Sequence, residues 1–118
     1  MKVDRLLHLV EILRAVEADE EKSARFNMDM WFTDCGTASC AAGFACDDPE
    51  FQAAGLRRGL CSLWPEFDGK LIFEALTEFF GIESEFIFDP NYYNMEVKHI
   101  KPRHVIDRII DVIGEQDA

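Results

Sequence analysis

Residues 33–55 read TDCGTASCAAGFACDDPEFQAAG, and this stretch decides the fold class. Gly36-Thr37 reads as a turn followed by an N-cap, because a threonine oxygen can accept from the orphan amides of a first helical turn. The pattern predicts a helix from Ala38 to about Cys46. It is built almost wholly of small residues: Ala38, Ser39, Cys40, Ala41, Ala42, Gly43 and Ala45, with Phe44 among them. Glycine inside a helix costs about 1 kcal/mol relative to alanine, so Gly43 predicts close approach of another element. Asp48-Pro49 then supplies the N-cap and first residue of a short second helix, ended near Gly55. A helix of small side chains admits its neighbours at short range and belongs at the centre of a helical packing.

Working outward, helical periodicity recurs and strand-like alternation is scarce. Val3, Leu6, Leu7, Val10 and Leu13 form an apolar stripe on a first helix ending at Val16 or Glu17. Leu9, Ile12 and Val16 widen it to about 220° of the circumference, more than an ordinary amphipathic face. Such a helix is central to the core, or it carries an oligomer interface through Leu9, Ile12 and Val16. Residues 18–22 (ADEEK) read as a solvated exit. Phe26, Met28, Met30, Trp31 and Phe32 read as an irregular segment that anchors the core. Residues 56–67 read as irregular. A further helix is expected to start at Asp68 or Gly69, with Leu71, Ile72, Ala75, Leu76, Phe79 and Phe80 inward. It ends before Gly81, a good C′ residue. Ser84 caps a short turn, SEFIF. Pro102 opens a last helix with Val105, Ile106, Ile109, Ile110, Val112 and Ile113 on one side, ended by Gly114. The expectation is an all-α, compact single domain, residues 1–118, of about five helices with irregular aromatic-rich connections.

Charge is unevenly distributed. The 118 residues hold 23 acidic and 12 basic side chains, for a net −11, and 48% hydrophobic residues, too many for a disordered tail. Residues 29–96 contain thirteen acids and three bases, whereas residues 97–118 contain four of each. Affinity for nucleic-acid backbones comes from Lys and Arg, so this surface excludes direct nucleic-acid binding. It would steer a basic protein partner instead. No apolar run approaches the roughly 20 residues of a membrane span. The charged N-terminal stretch does not read as a signal peptide. A cytoplasmic location is expected.

Phe26 to Phe88 resembles a group of small uncharacterised phage and bacterial proteins. They share the pattern Cys-Gly-Thr-x-x-Cys-x-x-Gly-aromatic-Ala, here Cys35, Gly36, Thr37, Cys40, Gly43, Phe44 and Ala45. Phe44 stands where tryptophan is more familiar. The resemblance implies a compact helical fold and a phage or mobile-element origin. It implies no activity.

Four cysteines, Cys35, Cys40, Cys46 and Cys61, are spaced C-x4-C-x5-C-x14-C. Structural zinc sites favour short Cys pairs, or Cys pairs with His pairs. On one helix Cys40 and Cys46 would stand about 240° apart around the axis and about 9 Å along it. They could not share an ion. A small metal-binding protein using Cys35, Cys40 and a remote ligand is the alternative in the metal class. An intracellular setting disfavours disulfides, and Cys35 with Cys40 is the pair that could approach. A nucleophilic thiol would sit near the same helix N-terminus with His99 or His104 as base; the small apolar surroundings instead predict buried, inert cysteines. His8 falls on the polar edge of the first helix. His104 with Asp107 and Asp111 reads as a solvated helix face. Asp89, Asn91, Asn94 and Glu96 lack an EF-hand pattern and read as turn chemistry. No phosphate loop or hydrolase motif is present.

The sequence therefore predicts no enzyme, no cofactor and no metal. It predicts an acidic protein-binding or regulatory module that docks on a basic surface. With the resemblance, its specific form is a phage-type inhibitor of a host defence or nucleic-acid-handling protein. Glu74 and Glu78 share one helical face, and Asp47, Asp48, Glu83, Glu85 and Asp89 complete the candidate acidic surface.

Overall fold

Apolar side chains at spacings of three and four build a first helix, α1 (Val3–Ala18), and bury Leu6, Leu9, Val10, Leu13 and Val16. The computed structural model describes residues 1–29, 39–59 and 64–117. α1 ends at Asp19, whose carboxylate accepts from the Lys22 amide at 3.0 Å and starts a short helix, α2 (Glu20–Arg25). The expected solvated exit is thus a capped helical turn, and it buries none of its residues. The principal partner of α1 is the C-terminal helix α7 (Pro102–Asp117), which buries Val105, Ile106, Ile109 and Val112. This helix runs past Gly114, where nothing lies within 4 Å of an added Cβ, instead of ending there.

The small-residue stretch forms α3 (Ala41–Asp47), buried from Ala41 to Cys46. It starts three residues later than expected because its N-cap is Cys40, whose sulfur accepts from the Gly43 amide at 3.4 Å. Asp48 and Pro49 open α4 (Pro49–Ala53) as predicted, with the Asp48 carboxylate accepting from the Phe51 amide at 3.0 Å. The Asn27 amide donates to the Ser39 carbonyl at 2.9 Å, and the Ser39 hydroxyl reaches back to the carbonyls of Arg25 and Asn27. The readings on Met30, Trp31, Phe32, Cys35, Gly36, Thr37, Ala38 and Cys61 fall outside the described residues.

The all-α expectation needs correction. A three-stranded antiparallel sheet joins β1 (Arg57–Arg58), β2 (Pro65–Phe67) and β3 (Lys70–Leu71) in the order β1-β2-β3. Phe67 pairs with Lys70 across a two-residue loop in which Asp68 and Gly69 take φ of 50° and 78°. Two positive φ values in succession match the twist of a tight hairpin, and Asp-Gly is a preferred pair for it. Asp68-Gly69 therefore turns a hairpin, where a helix start was expected. The helix α5 (Ile72–Phe80) follows β3 with no intervening loop, and the chain makes the change of direction at Ile72 with φ 57°, an uncommon value for a β-branched residue. The fold is mostly helical, with seven α-helices among the described residues against about five expected. Its Cα radius of gyration, 13.1 Å, is that of a compact chain of this length.

The core centres on aromatic rings. Phe79 meets Phe51, Phe67 and Phe80 edge to face, each with centroids 5.0 Å apart. Arg5 covers the group: its guanidinium lies 4.1 Å from the Phe79 centroid and donates to the Phe79 carbonyl at 2.8 Å. The width of the α1 stripe is explained by burial within the chain. Leu9 and Val16 are 0% and 2% exposed and Ile12 is half-buried, so Leu9 and Val16 are taken up within the chain, whereas Val3 and Leu7 of the same helix are exposed.

Candidate docking surface

Gly81, with φ 69°, ends α5 and sends the chain into α6 (Glu85–Phe88), a 3-10 turn over Pro90–Tyr92 and another over Val97–His99. α6 is tied to α5 through Ser84. Its hydroxyl donates to the Phe73 carbonyl at 2.7 Å and lies 2.8 Å from the Thr77 hydroxyl, while its amide donates to Thr77 Oγ1 at 3.1 Å. Ser84 is fully buried, so it holds the corner together instead of capping α6 with its side chain as expected.

Four of the predicted carboxylates are exposed along this stretch of chain. Glu74 and Glu78 are exposed and stand about 100° around α5 from the Phe73–Thr77 edge that holds Ser84. Glu83 and Glu85, on either side of Ser84, are exposed as well. Lys70 belongs to β3, so it is not one helical turn before Glu74 as the sequence spacing suggested. Asp89 is half-buried and accepts from the Asn91 amide at 2.9 Å, which starts the first 3-10 turn. The other two predicted acids are engaged elsewhere. Asp47 pairs with Arg58 at 2.6 Å, and Asp48 caps α4 and meets His8 Nε2 at 2.9 Å.

Arg108 of α7 fixes the backbone beyond α6. Its guanidinium donates to the Phe86 carbonyl at 2.6 Å and the Tyr92 carbonyl at 3.0 Å. It also lies 4.6 Å from the Phe86 centroid and 4.3 Å from that of Tyr93. Tyr93 is buried and donates its hydroxyl to the Ile87 carbonyl at 2.6 Å. Burial pushes its ionisation well above the ordinary tyrosine range, and Arg108 opposes that only in part. Phe86 and Tyr92 remain 43% and 50% exposed, with centroids 6.2 Å apart. Sequence reading passed over these two residues and Arg108. The segment is too short for a periodic pattern, and a lone arginine on a polar helix face has no signature.

The cysteine constellation has a different character. Cys40 and Cys46 are buried. Burial pushes the Cys40 thiol up to about 12, against the lowering effect of the Gly43 amide. Burial also raises Cys46, and the neighbouring Cys40 and Asp47 add to the rise. Burial thus disfavours the thiolate that a nucleophilic cysteine needs. Gly43 and Phe44 are buried beside them, with Phe44 stacked on Phe26 at 6.4 Å.

Among the described residues, His8, Asp48 and Glu50 have donor atoms close enough to share an ion, all within 4.8 Å. Each ring nitrogen of His8 already faces a carboxylate oxygen, Nε2 at 2.9 Å from Asp48 and Nδ1 at 3.0 Å from Glu50. The three residues clamp α1 to the start of α4. Nothing in their sequence separation signals this, since it depends on how the two helices pack. His104 uses Nδ1 to accept from the Lys101 amide at 2.8 Å, a local contact at the start of α7. No described helix is long and apolar enough to cross a membrane.

No family model matches the chain, and neither a curated protein nor a solved structure shows significant similarity to it.

Proposed function

We propose that this protein is a non-enzymatic binding module whose acidic α5–α6 corner docks on a basic surface of a partner protein. In its specific form it is an inhibitor, of phage or mobile-element origin, that covers a basic site on a host defence or nucleic-acid-handling protein. The observation that carries this reading is the corner itself. Glu74, Glu78, Glu83 and Glu85 are exposed there, and residues 81–97 contain no lysine or arginine. Glu74 lies in the first turn of α5, where the helix dipole favours it, but Glu78 stands one turn further on with the same charge and gains nothing from the helix. Two cysteines whose thiolates burial disfavours also suit a module without thiol chemistry.

The test starts with the partner captured from bacterial lysate at low salt and then purified. The partner should be basic, and its affinity should fall steeply between about 50 and 300 mM salt as screening shortens the range of attraction. Slower association should account for most of the loss. Glu74→Lys with Glu78→Lys should abolish most binding while far-UV circular dichroism is unchanged. A double reversal that binds like the parent at low salt overturns acidic docking.

A further inference from the structure

Exposed aromatic rings in an acidic surface are informative because carboxylates alone need no rings. α6 buries Ile87 and Phe88 but leaves Phe86 out, and the following turn buries Tyr93 but leaves Tyr92 out. The two exposed rings come together with centroids 6.2 Å apart at 60°. Glu83, Glu85 and Asp89 share the segment with them, and that segment carries no cation of its own.

The rings sit on fixed backbone. Arg108 holds the carbonyls of both Phe86 and Tyr92, Tyr93 ties its hydroxyl to Ile87, and Asp89 caps the turn between them. A surface ordered in advance loses little freedom on binding. Arg108 also shows which chemistry the Phe86 ring accepts, because its guanidinium already lies against it. A guanidinium is planar and weakly hydrated. It stacks on aromatic faces while its N–H groups donate to carboxylates, a combination a compact ammonium matches poorly. Nucleic-acid bases also stack on exposed rings, but such sites track the phosphates with several lysines and arginines; here residues 81–97 supply none, and Arg108 already donates to two backbone carbonyls.

We infer that the Phe86–Tyr92 pair, with Glu83, Glu85 and Asp89 on the same segment, receives an arginine side chain from a basic segment of the partner protein. This rests on the acidic-docking reading and names the anchor within it.

The experiment uses the full chain and fluorescein-labelled hexa-arginine, hexa-lysine and hexa-thymidylate, followed by fluorescence anisotropy at about 20 mM salt, where surface charges are little screened. Hexa-arginine should bind about 3-fold or more tighter than hexa-lysine. Phe86→Ala with Tyr92→Ala should weaken hexa-arginine about 10-fold and hexa-lysine less than about 2-fold. Phe86→Leu with Tyr92→Leu keeps apolar bulk, guards against a folding defect, and should also erase the preference for arginine. Glu83→Gln with Glu85→Gln should weaken both peptides. If parent and aromatic variants bind hexa-arginine equally, the anchor is wrong while acidic docking stands. If the parent binds neither peptide, acidic docking fails and the anchor with it. Tighter binding of hexa-thymidylate than of hexa-arginine would overturn the inference in favour of base stacking.

Discussion

Two arginines of this protein make the same pair of interactions in two different settings. Arg5 lies 4.1 Å from the Phe79 centroid and donates to the carbonyl of Phe79. Arg108 lies 4.6 Å from the Phe86 centroid and donates to the carbonyl of Phe86. The rings differ in their other neighbours. Phe79 is 0% exposed and touches three further phenylalanine rings, whereas Phe86 is 43% exposed and its ring neighbour, Tyr92, is exposed too. An arginine stacked on a phenylalanine is therefore compatible with either role. The same contact closes a core when other rings finish the burial, and it props up an exposed surface when they do not.

Truncating the two phenylalanines should separate these roles by the widest margin. Phe79→Ala should destabilise the fold by about 3–5 kcal/mol, because it opens a cavity among three rings and strips Arg5 of its platform. Phe86→Ala should cost under about 1 kcal/mol, as for an exposed side chain. Urea denaturation of both variants measures the gap. Equal losses would mean that Phe86 is part of the core, and the contrast between the two regions would fail.

The boundary between the regions is Gly81, and it gives the next largest effect. With φ 69° it adopts a backbone conformation that costs a residue bearing a Cβ roughly 1–2 kcal/mol. An alanine Cβ there would also lie 3.1 Å from the Lys2 nitrogen and 3.2 Å from the Met1 Cα. Those atoms are backbone, and the Lys2 amide donates to the Phe80 carbonyl at 2.8 Å. Gly81→Ala should therefore cost about 2–3 kcal/mol, strain and overpacking together. Hydrogen exchange of the Lys2 amide should speed up with it. A melting temperature unchanged from the parent would show that the N-terminal residues yield freely and that this boundary carries no load.

The sequence disclosed these regions unequally, for physical reasons. Helices with long apolar stripes are readable: α1, α5 and α7 bury most of the residues that a period of 3.6 places inward, but Val3, Leu7 and Ile110 are exposed, and so is Leu71, which belongs to β3. Asp48-Pro49 and Gly81 were readable because cap chemistry is local. Asp68-Gly69 was misread because aspartate suits both an N-cap and a tight hairpin, and strands of two or three residues are too short to show alternation. At Cys40 a sulfur took the capping place expected of a hydroxyl. In the corner, the charges of Glu74, Glu78, Glu83 and Glu85 were evident, but the rings beside them were not. Exposure of Phe86 and Tyr92 depends on Arg108, sixteen or more residues away, and on the Ser84 anchor to α5.

The smallest expected effect tests whether corner and core can be tuned apart. Gly114 lies in the last turns of α7, exposed, with nothing within 4 Å of an added Cβ and no positive φ. Alanine there gains helix propensity without a steric penalty, so Gly114→Ala should raise stability by about 0.5–1 kcal/mol. α7 serves both regions, since Val105, Ile109 and Val112 are buried in the core while Arg108 supports the corner. A change in its propensity reaches both. Arg108 already has its two carbonyls and two rings, and a more stable helix gives it no further contact. Hexa-arginine binding should therefore equal that of the parent while the urea midpoint rises. Tighter peptide binding in step with the added stability would show that the corner is incompletely ordered in the parent. The surface would then take its final form only on binding, and the distinction from the closed core would be one of degree.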